Sequence, residues 1–87
     1  MYRIHLLESA SRDLALLDKT SAQRIAKKLK WLAENIENVR REPLSGELAE
    51  FLKFRIGDYR VLYQVLESER MILVYEIGHR REVYKGR

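Results

Sequence analysis

The chain has 87 residues, 46% of them apolar and 34% charged, with a net charge of +4. That length allows one domain with a modest core, since a chain this short buries only roughly 60–65% of its unfolded surface. With no cysteine, disulfides and thiolate catalysis are excluded. The start, Met-Tyr-Arg-Ile-His, lacks the apolar core of a signal peptide. No run approaches the roughly 18 apolar residues of a membrane span, so a cytoplasmic protein with no membrane partner is expected. Residues 1–50 carry nine Lys/Arg against eight Asp/Glu, and residues 51–87 carry eight against five. The excess cation therefore lies toward the C-terminus, which favours a polyanionic partner for that part of the chain.

In chain order, Tyr2 to Leu7 alternates Tyr2, Ile4 and Leu6 against Arg3 and His5, which suits a strand. Glu8-Ser9-Ala10-Ser11 supplies capping chemistry, and Ala10, Leu14 and Leu17 repeat at i, i+4, i+7, so a short helix follows. Asp18-Lys19-Thr20 breaks it, with Asp18 or Thr20 as the next cap. From about Ser21 to Asn38, the stripe Ile25, Leu29, Leu32, Ile36, flanked by Ala22, Ala26 and Ala33, predicts a longer helix. Its opposite face holds Arg24, Lys27, Lys28, Trp31 and Asn35. An aromatic ring among cations could stack on a base, making Lys27, Lys28 and Trp31 candidates for RNA or ribosome contact. The plainer alternative is that Trp31 packs sideways on the first helix or the linker while the cations are simply solvated.

Residues 39–50 contain the lone proline, Pro43, and read as a linker that turns the chain from helix to sheet. Three strands are expected next, at about 50–56, 59–66 and 71–78. In the first, Leu52, Phe54 and Ile56 fall on one side and Lys53 and Arg55 on the other. Gly57-Asp58 forms a tight turn, Gly57 taking positive φ, into a strand that begins Tyr59-Arg60. Lys53, Arg55 and Arg60 are thus gathered beside one hairpin, where they repel one another unless an anion is meant to lie among them. Tyr59, Val61, Tyr63 and Val65 share a face and read as core. Met71 to Gly78 is apolar on both sides except for Glu76, which predicts a covered, central strand. The order β-α-α-β-β-β gives an α+β fold: a small, antiparallel-rich twisted sheet with a two-helix hairpin packed on one face.

Pro43-Leu-x-Gly-x-Leu, Lys53-Phe-Arg-Ile-Gly-Asp-Tyr-Arg-Val-Leu-Tyr63 and Gly78-His-Arg-Arg-Glu-Val-Tyr84 together resemble the RelE/ParE superfamily of toxins from toxin–antitoxin pairs. The resemblance spans nearly the whole chain and implies one RelE-like toxin domain over residues 1–87. RelE-like members are ribosome-dependent endoribonucleases (mRNA interferases) that cut mRNA in the A site by attack of a ribose 2′-hydroxyl on the adjacent phosphate. The ParE-like branch instead poisons DNA gyrase by binding. Metal-free cleavage needs a base for the 2′-hydroxyl, cations for the crowded phosphorane and an acid for the 5′-oxygen.

By resemblance, Lys53, Arg55, Arg60, Arg80 and Tyr84 occupy the catalytic positions, with Arg81 and Lys85 of the tail as further RNA contacts. Arg55 stands where some relatives have lysine, and arginine, holding its proton above pH ~12, is a poor acceptor. Lys53 or Tyr84 is therefore put forward as the base. Arg55 and Arg60 become phosphate clamps, and Arg80 the transition-state stabiliser or leaving-group donor. His79 is a further candidate, because an imidazole beside cations suits proton transfer near neutrality. The joint presence of these residues favours the nuclease branch over the gyrase poison. The implied partners are the ribosome with its mRNA and a cognate acidic antitoxin, with operator DNA reached only through the antitoxin. No cofactor or metal is expected, since two histidines and no cysteine offer no ligand set.

Overall fold

The long helix begins where its cap chemistry says it should. In the computed structural model, described for residues 1–79, Asp18 accepts a hydrogen bond from the Ser21 amide and α2 runs Lys19–Asn35. Hydrogen bonding from the Ser21 side chain, and then from its amide, holds the Asp18 carboxyl below its ordinary range. The helix stops at Asn35 rather than Asn38, because the Asn35 side-chain Nδ2 donates to the Trp31 carbonyl at 2.8 Å and the Asn38 backbone amide to the Asn35 carbonyl. Ile25, Leu29, Leu32 and Ile36 are all buried, as the stripe requires.

Ahead of it lie β1 (Arg3–Leu6) and α1 (Glu8–Ala15); after it come β2 (Glu42–Pro43), β3 (Leu52–Ile56), β4 (Tyr59–Leu66) and β5 (Met71–His79). The strands form one five-stranded sheet in the order β1-β5-β4-β3-β2. Only β1 is parallel to its neighbour; the other pairings are antiparallel. Strand β5 is interior, between β1 and β4, but β4 holds the middle place. Among the described residues, the covering that the apolar sequence of β5 implies on both sides is found on the helix side alone. The expected linker hides an element: Glu42 and Pro43 pair with Lys53 and Leu52, adding a short edge strand beyond β3. The β3–β4 turn is built on Gly57 at φ +59°.

One face of the sheet is closed by α2. Ile56, Val61, Tyr63, Ile72, Val74 and Ile77 meet its stripe in the main core, and Leu52, Phe54, Tyr59 and Val65 pack around them. Among the described residues, no helix covers the other face, which carries a small apolar cluster, Leu44 and Leu62 with Phe51 and Tyr75 packed against them.

Helix α1 does more than cover the sheet. Strand β1 ends at Leu6 opposite Val74, while β5 continues to His79 with that edge unpaired by any strand. Leu7 donates to the Val74 carbonyl, the Ser9 hydroxyl donates to the Tyr75 carbonyl at 2.7 Å, and the Asp13 carboxylate accepts the Ile77 amide at 3.0 Å. Ser9 and Asp13, one helical turn apart, thus replace a missing strand along the edge of β5. Among the described residues, no helix is long and apolar enough to cross a membrane.

Two stability predictions follow from these contacts. Asp13→Ala strands the amide of buried Ile77 and should lower the unfolding free energy by about 1–3 kcal/mol in urea titrations. Asp13→Asn keeps a carbonyl acceptor and should lose clearly less. Tyr63 is fully buried and its hydroxyl has no hydrogen-bond partner among the described residues, so Tyr63→Phe should match the parent or gain up to about 1 kcal/mol. Burial pushes the Tyr63 hydroxyl above its ordinary value, against an opposing pull from Arg41. The unfolded chain then ionises first, and the parent loses stability as pH rises past ~10. The Phe variant should lack that component of the alkaline loss.

Candidate active site

Strand β3 has two faces with opposite chemistry, and period two keeps them apart. With Leu52, Phe54 and Ile56 directed into the helix-covered core, Lys53 and Arg55 stand on the open face. The antiparallel register sets Arg60 directly opposite Arg55, and β2 sets Glu42 directly opposite Lys53. Register partners of this kind place their side chains on the same face about 4.5–5.5 Å apart at Cβ. The four side chains line a cavity of about 170 Å³. The Arg55 guanidinium is fixed by donating from Nε to the Gly57 carbonyl at 3.1 Å, so the turn that reverses the chain also aims one of the cations. Among the described residues, three cations and one carboxylate line the cavity, a surplus of positive charge suited to a phosphodiester.

The cavity adjoins the small apolar cluster through Leu62, which lies across from Lys53 on one side and from Glu76 on the other. Phe51 and Tyr75 meet edge to face at 4.8 Å between ring centroids, and the Tyr75 hydroxyl donates to Gln64 at 2.8 Å. The site therefore has an apolar shoulder of two half-buried aromatic rings. Neither ring was picked out by sequence reasoning. The signal available was their period-two position opposite the core residues.

His79 is not brought to the cations. It pairs with Tyr59, its ring 6.0 Å from the tyrosine ring and nearly perpendicular to it, in a separate cavity of about 330 Å³ with Asp13, Leu17 and Ile77. This is the helix-covered side of the sheet, opposite Lys53, Arg55 and Arg60. The cause is a bulge: Leu62 pairs with Glu76 and Tyr63 with Val74, so Tyr75 is the extra residue on β5. Beyond it the alternation inverts, Glu76 faces the open side, and Ile77 and His79 face α1.

Trp31, too, lies on the helix side. It stacks on Phe54 at 6.2 Å with 11° between planes, 43% exposed, and the Lys28 ammonium sits 5.2 Å from its ring centroid. The ring thus packs on the sheet rather than on α1 or the linker, back to back with Lys53 and Arg55 across β3. Lys27 shares a shallow hollow with Thr20, Gln23 and Arg24. The Arg24 guanidinium reaches the β3–β4 turn, within 3.7 Å of where a side chain at Gly57 would begin. Arg80, Arg81, Tyr84 and Lys85 lie outside the described residues.

Glu42 is the charged lining residue that sequence reasoning missed. A two-residue strand leaves no alternation to detect, but Pro43 gave a signal. Proline forces its predecessor into extended backbone and is tolerated on edge strands, so Glu-Pro ahead of an alternating strand marks an edge pairing.

The comparisons with known proteins bear on the family and the fold. A family model described as the ParE toxin of type II toxin–antitoxin system, parDE, matches residues 4–84. A putative RelE-like toxin protein of Escherichia coli is 31% identical over 80 residues, covering 91% of this chain and 83% of that protein. Among solved structures, the toxin–antitoxin complex RelBE2 from Mycobacterium tuberculosis matches with a TM-score of 0.81 at 25% identity, over 90% of each chain. The isolated E. coli RelE toxin shares the fold at a TM-score of 0.74 and 23% identity, over 91% of this chain and 84% of that one.

Proposed function

The chain belongs to the RelE/ParE family of toxins of type II toxin–antitoxin systems, and on that premise we propose that it is a ribosome-dependent endoribonuclease that cuts mRNA in the A site. The observation that carries this reading is the cavity lined by Lys53, Arg55, Arg60 and Glu42 on an uncovered sheet face. A binding protein needs cations spread over a surface. A phosphoryl-transfer enzyme needs them converging on one phosphate, where negative charge grows as the 2′-oxygen attacks. Lys53, Arg55 and Arg60 take the non-bridging oxygens, with Arg80 supplying a further cation and Tyr84 a base-stacking ring or proton carrier from the tail. Lys27, Lys28, Trp31, Arg81 and Lys85 serve the wider ribosome contact.

An acidic antitoxin is the natural inhibitor of such a surface, by charge complementarity. It also brings operator DNA within reach of the pair. The solved relatives from M. tuberculosis and E. coli are toxin–antitoxin complexes, and that from Pyrococcus horikoshii is a RelE–RelB complex, which supports an antitoxin partner here. Ribosome and mRNA as targets place the activity in the cytoplasm.

The ParE description of the matching family model favours one other reading, inhibition of DNA gyrase by binding alone. The two separate cleanly in purified systems. The expected result is A-site cleavage of mRNA on programmed ribosomes with gyrase supercoiling untouched. Lys53→Ala and Arg80→Ala should each slow single-turnover cleavage roughly a hundred- to thousandfold, as loss of a transition-state donor does elsewhere. Both should leave circular dichroism and antitoxin binding intact. Blocked supercoiling with intact mRNA would instead establish the gyrase reading.

A further inference from the structure

The cation cavity accounts for one part of a nucleotide and leaves another part without a seat. A phosphate brings a ribose and a flat nucleobase with it, and just past Lys53 the open face changes from cationic to aromatic. We infer that Phe51 and Tyr75 form the seat for a nucleobase flanking the cleaved phosphate, and that they hold it by stacking.

The seat lies at the right reach. Phe51 and Lys53 are two residues apart on one extended segment, ~6.8 Å by the rise of a strand. That is comparable to the span from a phosphate across its ribose to the nucleobase. The Phe51 carbonyl accepts the Leu44 amide at 3.0 Å, so the ladder with the edge strand continues one step past Leu52. Leu62, opposite Lys53, packs in the same cluster as both rings, which makes the aromatic patch continuous with the cavity.

The rings are also held ready. Tyr75 is the extra residue of the β5 bulge, and bulges recur beside active sites, where they re-aim side chains. Its carbonyl accepts the Ser9 hydroxyl at 2.7 Å and its own hydroxyl donates to Gln64 at 2.8 Å, so the residue is fixed at both ends. Phe51 meets it at 82° between ring planes, and both rings are half-buried, with part of each surface still open. A ring already ordered loses little freedom when a ligand arrives.

Charge decides the occupant. An apolar patch bordered by cations suits single-stranded RNA, whose backbone takes the cations while its nucleobases take the rings. The Tyr75 hydroxyl is engaged by Gln64, and the Gln64 side-chain amide by the Glu50 carbonyl at 3.4 Å. The seat therefore tells nucleobases apart weakly, by stacking area.

This inference rests on the endoribonuclease reading, and single-turnover cleavage on programmed ribosomes tests both. With the parent chain active, Tyr75→Leu and Phe51→Leu keep an apolar side chain in the cluster. Each should raise the half-saturating toxin concentration roughly five- to a hundredfold, as loss of one stacked nucleobase does, and the saturated rate far less. Tyr75→Phe should recover most of what Tyr75→Leu loses. An abasic nucleotide is then placed immediately 5′ or immediately 3′ of the cleaved phosphate. At one of the two positions it should cost the parent a similar factor and cost Tyr75→Leu nothing further, which a merely structural role for the ring would not produce. Losses that multiply at both positions overturn the seat and leave the nuclease reading standing. So do leucine variants that cleave with the parent's concentration dependence; if they lose antitoxin affinity alone, the rings face the antitoxin instead. A parent chain that cuts no mRNA overturns the nuclease reading and this inference with it.

Discussion

The register of β3 against β4 is the constraint on which both the fold and the site depend. Five consecutive residues, Leu52 to Ile56, deliver apolar side chains to α2 and cationic ones to the open face. Moving the pairing by one residue would exchange the faces, burying Lys53 and Arg55 and exposing Phe54 and Ile56. Burying an uncompensated charge costs several kcal/mol even after relaxation, a large part of a small domain's total stability. The core therefore enforces the site. Any sequence change that loosens the packing of Leu52, Phe54 or Ile56 also blurs the positions of Lys53 and Arg55.

The same arrangement explains why like charges can be tolerated so close together. Arg55 and Arg60 face each other at the end of the β3–β4 hairpin, where Arg55 is exposed to water and screened while Arg60 is half-buried. Arg24 approaches the same turn from the helix side. The hairpin tip thus concentrates positive charge, while the hydrophobic stripe of α2, Tyr63 and the ladder along β5 supply the stability. The strongest structural contacts and the functional charges occupy opposite sides of one sheet, and neither has to be compromised for the other.

What could be read in the sequence was whatever repeats over several residues. The stripe Ile25, Leu29, Leu32, Ile36, the alternation of β3, the cap at Asp18 and the interior place of β5 all carry a period or a specific side-chain chemistry, and each has its place in the structure. What escaped lacks a period. Glu42–Pro43 is too short to alternate, so a residue of the candidate site was hidden in what reads as a linker. The side on which His79 lies depends on the extra residue Tyr75. Unbroken alternation from Val74 would put position 79 on the open face with the cations, and one bulge reverses it. The role of Ser9 and Asp13 depends on where β1 stops relative to β5, which neither segment encodes by itself.

The bulge also ties the two halves of the molecule together. In crossing it, β5 turns two successive side chains, Tyr75 and Glu76, to the open face, where Tyr75 completes the aromatic shoulder beside the cation cavity. The backbone carbonyl of that same Tyr75 is held from the far edge of the strand by the Ser9 hydroxyl. An irregular residue in an interior strand needs such a tie, because its own ladder partner is missing. Helix α1 therefore acts on the open face without lying on it. By pinning the bulge it fixes how far β5 has shifted, and with that which residues of β5 stand beside Leu62 and Arg60. The short first helix is in this sense a part of the site's frame, and the edge of β5 is the route by which it acts.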